Sequence, residues 1–86
     1  MNNKIKIVGK MFEYEVEGLK KVLSVLNSES YIVDFEPTED NGSHIARLID
    51  VTIVFRNVMS EAADNFIRTM IVKQLLASNN FVMVED

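Results

Sequence analysis

Residue types that commonly carry chemistry are few in this chain of 86 residues. His44 is the only histidine, and the neighbouring Ser43 would point to the opposite face of a strand, so the two do not pair as a nucleophile and its base. The chain contains no cysteine, which excludes disulfides, thiolate metal ligands and thiol nucleophiles. We therefore predict a protein that is not an enzyme and has no catalytic residue, no metal ion and no cofactor.

A second candidate is the segment 29–40, which holds five acidic residues and no basic one. Carboxylates are ligands for hard cations, but their spacing here does not fit the D-x-D-x-D-G-x₅-E pattern of a calcium loop. The favoured interpretation is a solvated edge strand and loop whose charges discourage aggregation. The alternative is contact with a basic partner, through Asp34, Glu36, Glu39 and Asp40.

The charge balance argues against nucleic acid as a partner. Thirteen acidic residues outnumber nine basic ones, and the net charge of −4 repels phosphates. RNA-binding sheets stack bases on outward aromatic side chains, whereas the outward positions of the central strands here are predicted to be Val8, Leu48 and Val54. No membrane partner is expected either, because no apolar run approaches the ~20 residues of a membrane helix.

The N-terminal third contains one clear strand and one ambiguous stretch. Lysines alternate with isoleucines over residues 4–7, which predicts a strand that Gly9 ends. Within residues 11–28, apolar residues recur at helical spacing, but the first of them also alternate with glutamates, as in a strand. We predict a helix from about 17 to 27 and leave 11–16 open, either as an extra strand or as the first turns of that helix.

A β-hairpin is predicted next. Apolar and polar residues alternate over 31–36, and Pro37, which cannot donate a ladder hydrogen bond, places this strand at a sheet edge or ends it. Asn41-Gly42 is a strong signal for a tight turn. A long strand rich in β-branched residues follows, from Ile45 to about Arg56.

A second helix and a final strand complete the chain. Ser60 offers an N-cap oxygen, and acidic residues in the first turn favour the positive end of the helix. The helix is predicted to run to about Ala77 and to stop at Asn79-Asn80, before a strand over 81–84. Its predicted apolar face comprises Ala63, Phe66, Ile67, Met70, Ile71, Gln74 and Leu75.

The predicted order of elements is β-α-β-β-α-β in a single domain spanning residues 1–86. This order predicts the α+β class and a ferredoxin-like split βαβ sandwich, an antiparallel sheet with two helices on one face, to which one extra N-terminal strand could be added. The usual strand order, 4-1-3-2, places the second strand at an edge.

Residues 17–26, in which Gly18-Leu19 precedes an apolar helix, resemble the strand-to-helix segment of ACT domains. Those are ferredoxin-like modules that bind amino acids at subunit interfaces. The Asp and Pro common just before that glycine are replaced here by Val16 and Glu17. The resemblance implies an alternative function, a small-ligand-binding regulatory or sponge domain with its ligand at a subunit interface.

The strand periodicity predicts which side chains point away from the helices. The last strand contributes either Val82 and Val84 or Phe81 and Met83 to that outward side. Monomers rarely expose large contiguous apolar patches, so we predict a homodimer or small homo-oligomer. The side chains predicted to face the helices are Ile5, Ile7, Tyr31, Val33, Phe35, Ile49, Val51, Ile53 and Phe55. The predicted interface comprises Val8, Ile32, Leu48, Val54, Val82 and Val84.

The function predicted from these features is that of a small interaction module that self-associates and binds or modulates a protein partner. Regulatory subunits and phage or mobile-element accessory proteins are typical of this size and composition, an analogy that fold class alone does not prove. The first residues lack the apolar stretch of a signal peptide and cysteine is absent, so a cytoplasmic location is expected.

Overall fold

The computed structural model describes residues 4–37, 47–56, 62–78 and 80–84. They form four strands and two helices, which belong to the α+β class as predicted. The elements in chain order are β1 (Lys4–Phe12), α1 (Val16–Leu23), β2 (Tyr31–Pro37), β3 (Leu48–Arg56), α2 (Ala62–Ala77) and β4 (Phe81–Val84).

The four strands form one antiparallel sheet in the order β2-β3-β1-β4. β1 and β3 pair along their whole length, from Lys4 opposite Arg56 to Phe12 opposite Leu48. β2 and β4 are the edge strands. Pro37 is the last residue of β2, which agrees with its inability to continue a ladder.

A single cluster of buried side chains combines one side of the sheet with both helices. β3 shows the alternation most clearly, since Ile49, Val51, Ile53 and Phe55 are all buried while the residues between them are partly exposed. All nine strand residues predicted to face the helices are either buried or packed against this cluster. The helices contribute Leu19, Leu23, Ile71 and Val72, and the turn after α1 contributes Leu26.

β1 does not end at Gly9, as the sequence had predicted, but continues to Phe12. Gly9 keeps its place in the ladder, opposite Val51 on one side and Phe81 on the other. It is needed because the Asn80 carbonyl oxygen and the Phe81 ring occupy the space that a Cβ would take. The glycine therefore marks a close approach between strands rather than the end of one.

The open question about residues 11–16 is answered by neither alternative. Met11 and Phe12 belong to β1, residues 13–15 form a single 3₁₀ turn, and α1 begins at Val16. Two hydrogen bonds hold this turn: the Glu13 N–H donates to the carbonyl of Arg47 (2.8 Å), and the Phe12 N–H donates to Glu15 Oε1 (3.0 Å). Glu13 and Glu15 belong to this turn, so their alternation with apolar residues does not reflect a strand.

α1 ends at Leu23, four residues before the predicted end at Asn27. The Ser24 hydroxyl donates to the carbonyl of Lys21 at 2.6 Å, and this local bond competes with continuation of the helix. The Leu26 N–H donates to the carbonyl of Leu23 at 3.0 Å, a tighter turn that still buries Leu26. Leu26 is therefore buried as its helical spacing predicts, although it lies in a turn after the helix.

The last helix and strand end where the sequence predicts. α2 ends at Ala77, and β4 spans Phe81–Val84.

Several other predictions fall outside the described residues. They are the turn at Asn41-Gly42, the start of β3 at Ile45, His44, the N-cap at Ser60 and the stop at Asn79.

Substitution of Gly9 by Ala is expected to destabilise the fold. An added Cβ would lie within 2.5 Å of the Phe81 ring, so the ring and β4 must shift. Overpacking of this kind costs about 1–3 kcal/mol. Urea denaturation at a fixed protein concentration measures the change in the free energy of unfolding.

Gly18→Ala is the matched control. Gly18 lies in α1, and no atom lies within 4 Å of the position its Cβ would take. Because Ala is the better helix former by about 1 kcal/mol, this variant should be as stable as the parent or more so. Equal stability of the Gly9→Ala protein would contradict the close approach of Phe81.

Candidate interaction surfaces

The strand residues that alternate with the core residues form what we call the outward face of the sheet. Its side chains lie in rows that the strand pairing defines. One row runs Ile32, Val54, Lys6, Val84. The next runs Asp34, Thr52, Val8, Val82, and a third contains Glu36, Asp50 and Lys10.

Five aliphatic side chains of the outward face are neighbours in the first two rows. Ile32 pairs with Val54, and Val8 pairs with Val82. Ile32 is 52% exposed, Val82 59% and Val84 36%, while Val8 and Val54 are half-buried. We call these five residues the aliphatic patch. Lys6 lies inside it, between Val54 and Val84.

Leu48, the sixth residue predicted at the interface, lies apart from the aliphatic patch. It pairs with Phe12 at the far end of the sheet. The row between Leu48 and the aliphatic patch holds Lys10 and Asp50, whose side chains form an ion pair at 3.7 Å. The structure therefore brings five of the six predicted residues together and leaves Leu48 beyond a charged row.

The choice left open for β4 is decided by Phe81. Its side chain is buried over Gly9, which turns Val82 and Val84 outward. Met83 shares the inward side with Phe81 but is 54% exposed, because β4 is short and lies at the edge of the sheet. Sequence pattern alone could not decide which pair points outward, Val82 and Val84 or Phe81 and Met83.

Charged side chains of both signs lie on the outward face, in addition to the Lys10–Asp50 ion pair. Lys4 and Arg56 oppose each other at one end of the central ladder. Asp34 and Glu36 lie on β2 toward the other end, where both are exposed. Of the acidic residues predicted to meet a basic partner, these two are on the outward face, and Glu39 and Asp40 lie outside the described residues.

A second apolar surface, not predicted from the sequence, lies between the two helices. A groove of about 610 Å³ separates them, and Gln74 is its single polar lining residue. Val22, Val25 and Met70 are 47%, 60% and 53% exposed at this groove. The lining residues are Leu19, Val22, Val25, Ile67, Met70, Ile71, Gln74 and Leu75.

The signal for the groove was present in the sequence. Val22 does not fall on the Leu19-Leu23 stripe of α1 that is buried, and Val25 in the turn after α1 adds a second apolar side chain beyond what the core contact needs. In α2, Phe66 and Met70 were predicted on the apolar face, but they are exposed. Gln74, predicted on the same face, lines the groove.

A shallow depression of about 560 Å³ lies on the outward face beside Gly9. The Lys10–Asp50 ion pair and Thr52 supply polar groups there, and Val8 and Val82 supply apolar ones. Asn80 borders it, and the Asn80 carbonyl accepts a hydrogen bond from the Lys10 N–H at 3.3 Å.

The described residues hold no group of three or more His, Cys, Asp or Glu side chains arranged to bind a metal ion. His44 lies outside them. None of the helices within the described part of the chain is both long enough and apolar enough to span a membrane.

Comparison with protein-family models, with curated proteins and with solved structures found no match. The surfaces described above are therefore the basis on which a function can be argued.

Proposed function

We propose that this chain is a non-enzymatic, cytoplasmic interaction module that self-associates through the outward face of its sheet and binds a protein partner. The element order and the strand order β2-β3-β1-β4 support a ferredoxin-like arrangement with both helices on one side of the sheet. The observation that carries the proposal is the aliphatic patch, five neighbouring aliphatic side chains on the side of the sheet away from the core cluster.

The energies make a symmetric pair feasible. Full burial of one Val or Ile side chain contributes about 1.5–3 kcal/mol. The side chains of the aliphatic patch are about half exposed, so two copies together would gain on the order of 10 kcal/mol. That gain is comparable to the cost of association, about 4–15 kcal/mol. The charged residues around the patch therefore decide whether the dimer is stable.

The charges of the outward face are complementary to themselves under a two-fold rotation. Neighbouring strands lie ~4.8 Å apart and successive rows ~6.8 Å apart. We consider two copies whose outward faces meet, related by a two-fold axis along the diagonal from Ile32 to Val82. With these spacings, the axis places the aliphatic patch of one copy against that of the other. It also sets Arg56 opposite Asp34 of the second copy and Lys4 opposite Glu36. Such pairing fixes the orientation of a dimer.

The alternative function is binding of a small ligand between subunits. The observation that favours it is the depression beside Gly9, which a second copy packed on the outward face would enclose. Lys10 and Asp50 could then hold a carboxylate and an amino group of the ligand.

The Val8→Lys substitution is expected to dissociate the assembly. It places a cation in the middle of the aliphatic patch and opposite its own copy. Light scattering at micromolar concentration should give the mass of a dimer or small oligomer for the parent and that of a monomer for the variant. Val25→Lys, at an exposed site in the turn after α1, is the control and should leave the mass unchanged. A monomeric parent would contradict self-association.

Exchange of charges tests the orientation of the pair. Asp34→Arg or Arg56→Asp alone should weaken dimerisation about tenfold, because each change affects two equivalent ion pairs, worth about 0.2–1 kcal/mol apiece, and adds repulsion. The double variant restores opposite charges and should recover most of the affinity. Sedimentation equilibrium at low salt measures the dissociation constants. A double variant as weak as the sum of both single changes would exclude this axis.

The ligand alternative predicts a stabilising effect that the interaction module alone does not. A panel of amino acids and nucleotides should contain at least one compound that raises the melting temperature of the parent, since a ligand that binds only the folded state stabilises it. The same compound should have no effect on Asp50→Asn. If no compound shifts the melting temperature, the alternative is wrong and self-association is unaffected.

A further inference from the structure

The groove between α1 and α2 is an apolar surface that is separate from the outward face of the sheet and is not covered by the core. Leu19 and Ile71 are buried in its floor, and Val22, Val25 and Met70 stand exposed on its two sides. Phe66, one turn before Met70, adds a side chain that is 68% exposed. Contiguous exposure of this kind marks a binding surface more often than chance.

The dimensions of the groove fit a short helix. Its lining residues extend over 19–25, which comprises the end of α1 and the turn after it, and over 67–75 in α2. The α2 side is ~12 Å long at ~1.5 Å per helical residue. Two to three turns of an amphipathic helix, with apolar anchors at i, i+3 or i+4, and i+7, span that length. Gln74 lines the groove with the apolar part of its side chain, so the groove presents an apolar surface.

The charges beside the groove are positive, although the whole chain carries a net charge of −4. Within residues 16–26 and 65–77 there are four bases, namely Lys20, Lys21, Arg68 and Lys73, and a single acid, Glu17. The Glu17 carboxylate already pairs with Lys20 at 3.6 Å. Exposed Lys21 adjoins the groove residue Val22 in α1, and exposed Lys73 lies one turn after Met70 in α2.

This charge pattern selects between occupants. A second copy docked by the same surface would bring Lys21 and Lys73 of both chains together, and like charges across an interface are unfavourable. A helix with acidic residues beside its apolar stripe would instead meet both lysines with opposite charge. We propose that the groove between α1 and α2 binds an amphipathic helix of a partner protein whose apolar stripe is flanked by Asp or Glu.

This inference rests on the proposed function, since it names the surface and the chemistry of the protein partner. The two can fail separately. Self-association is measured by mass and depends on the aliphatic patch, whereas helix binding is measured with added peptide and depends on residues of α1 and α2.

The test uses three synthetic 14-residue peptides labelled with a fluorophore and the full chain. Two share the same leucine stripe at i, i+3, i+7 and i+10, flanked by Glu in one and by Lys in the other. The third is a scrambled form of the Glu peptide. Fluorescence anisotropy should show that the Glu peptide binds about fivefold to tenfold more tightly than the Lys peptide, as expected for two exposed ion pairs. The scrambled peptide should not bind.

Variants locate the binding surface. Met70→Lys should weaken the Glu peptide more than tenfold, because it places a charge against the leucine stripe. Lys21→Glu with Lys73→Glu should invert the preference between the Glu and Lys peptides, a result that a merely misfolded protein would not give. Met83→Lys, at a methionine of β4 that is as exposed as Met70, is the matched control and should leave peptide affinity unchanged. Circular dichroism verifies that each variant is folded.

Four results would overturn the inference. They are no binding of the Glu peptide at millimolar concentration, a preference of the parent for the Lys peptide, and equal loss of affinity in Met70→Lys and Met83→Lys. The fourth is co-sedimentation with vesicles of phosphatidylglycerol and phosphatidylcholine that Met70→Lys abolishes, because the groove would then be a lipid-binding surface.

Discussion

The pairing of β1 with β3 is the constraint on which the rest of the structure depends. Nine consecutive pairs join the two central strands, and the side chains of each strand alternate between the core and the outward face. A slip of one residue would move Ile7, Ile53 and Phe55, which are fully buried, to the solvent side. The composition of both faces follows from this register, including the aliphatic patch and the charged rows around it.

Gly9 connects this central ladder to the edge strand β4. It lies opposite Val51 and Phe81 at once, and the absence of a side chain lets the Phe81 ring pack into the core. The burial of Phe81 in turn decides that Val82 and Val84 point outward. A single glycine thus affects stability, the placement of an edge strand and the composition of the outward face.

The chain has two apolar surfaces on opposite layers, and their charges differ. The outward face carries both signs, with Lys4 and Arg56 at one end and Asp34 and Glu36 toward the other, which suits a second copy of the same chain. Residues 16–26 and 65–77 of the helix layer carry four bases and one acid, even though the chain as a whole is acidic. Mixed charges on the sheet and positive charges beside the groove make the two surfaces suited to different occupants.

Much of this structure was determined by local sequence pattern. Alternation along β3 and helical spacing along α2 predicted the α+β class, the inward residues and the ends of α2 and β4, because both periodicities are properties of the backbone itself. Gly9 was misread as the end of a strand, and the effects of Ser24 and Glu15 were not predicted, since they depend on a facing ring or on one specific hydrogen bond. The groove between the helices and the isolation of Leu48 were decided only by tertiary structure. They depend on how far apart two helices lie on the sheet and on which rows the register brings side by side, and no single segment carries that information.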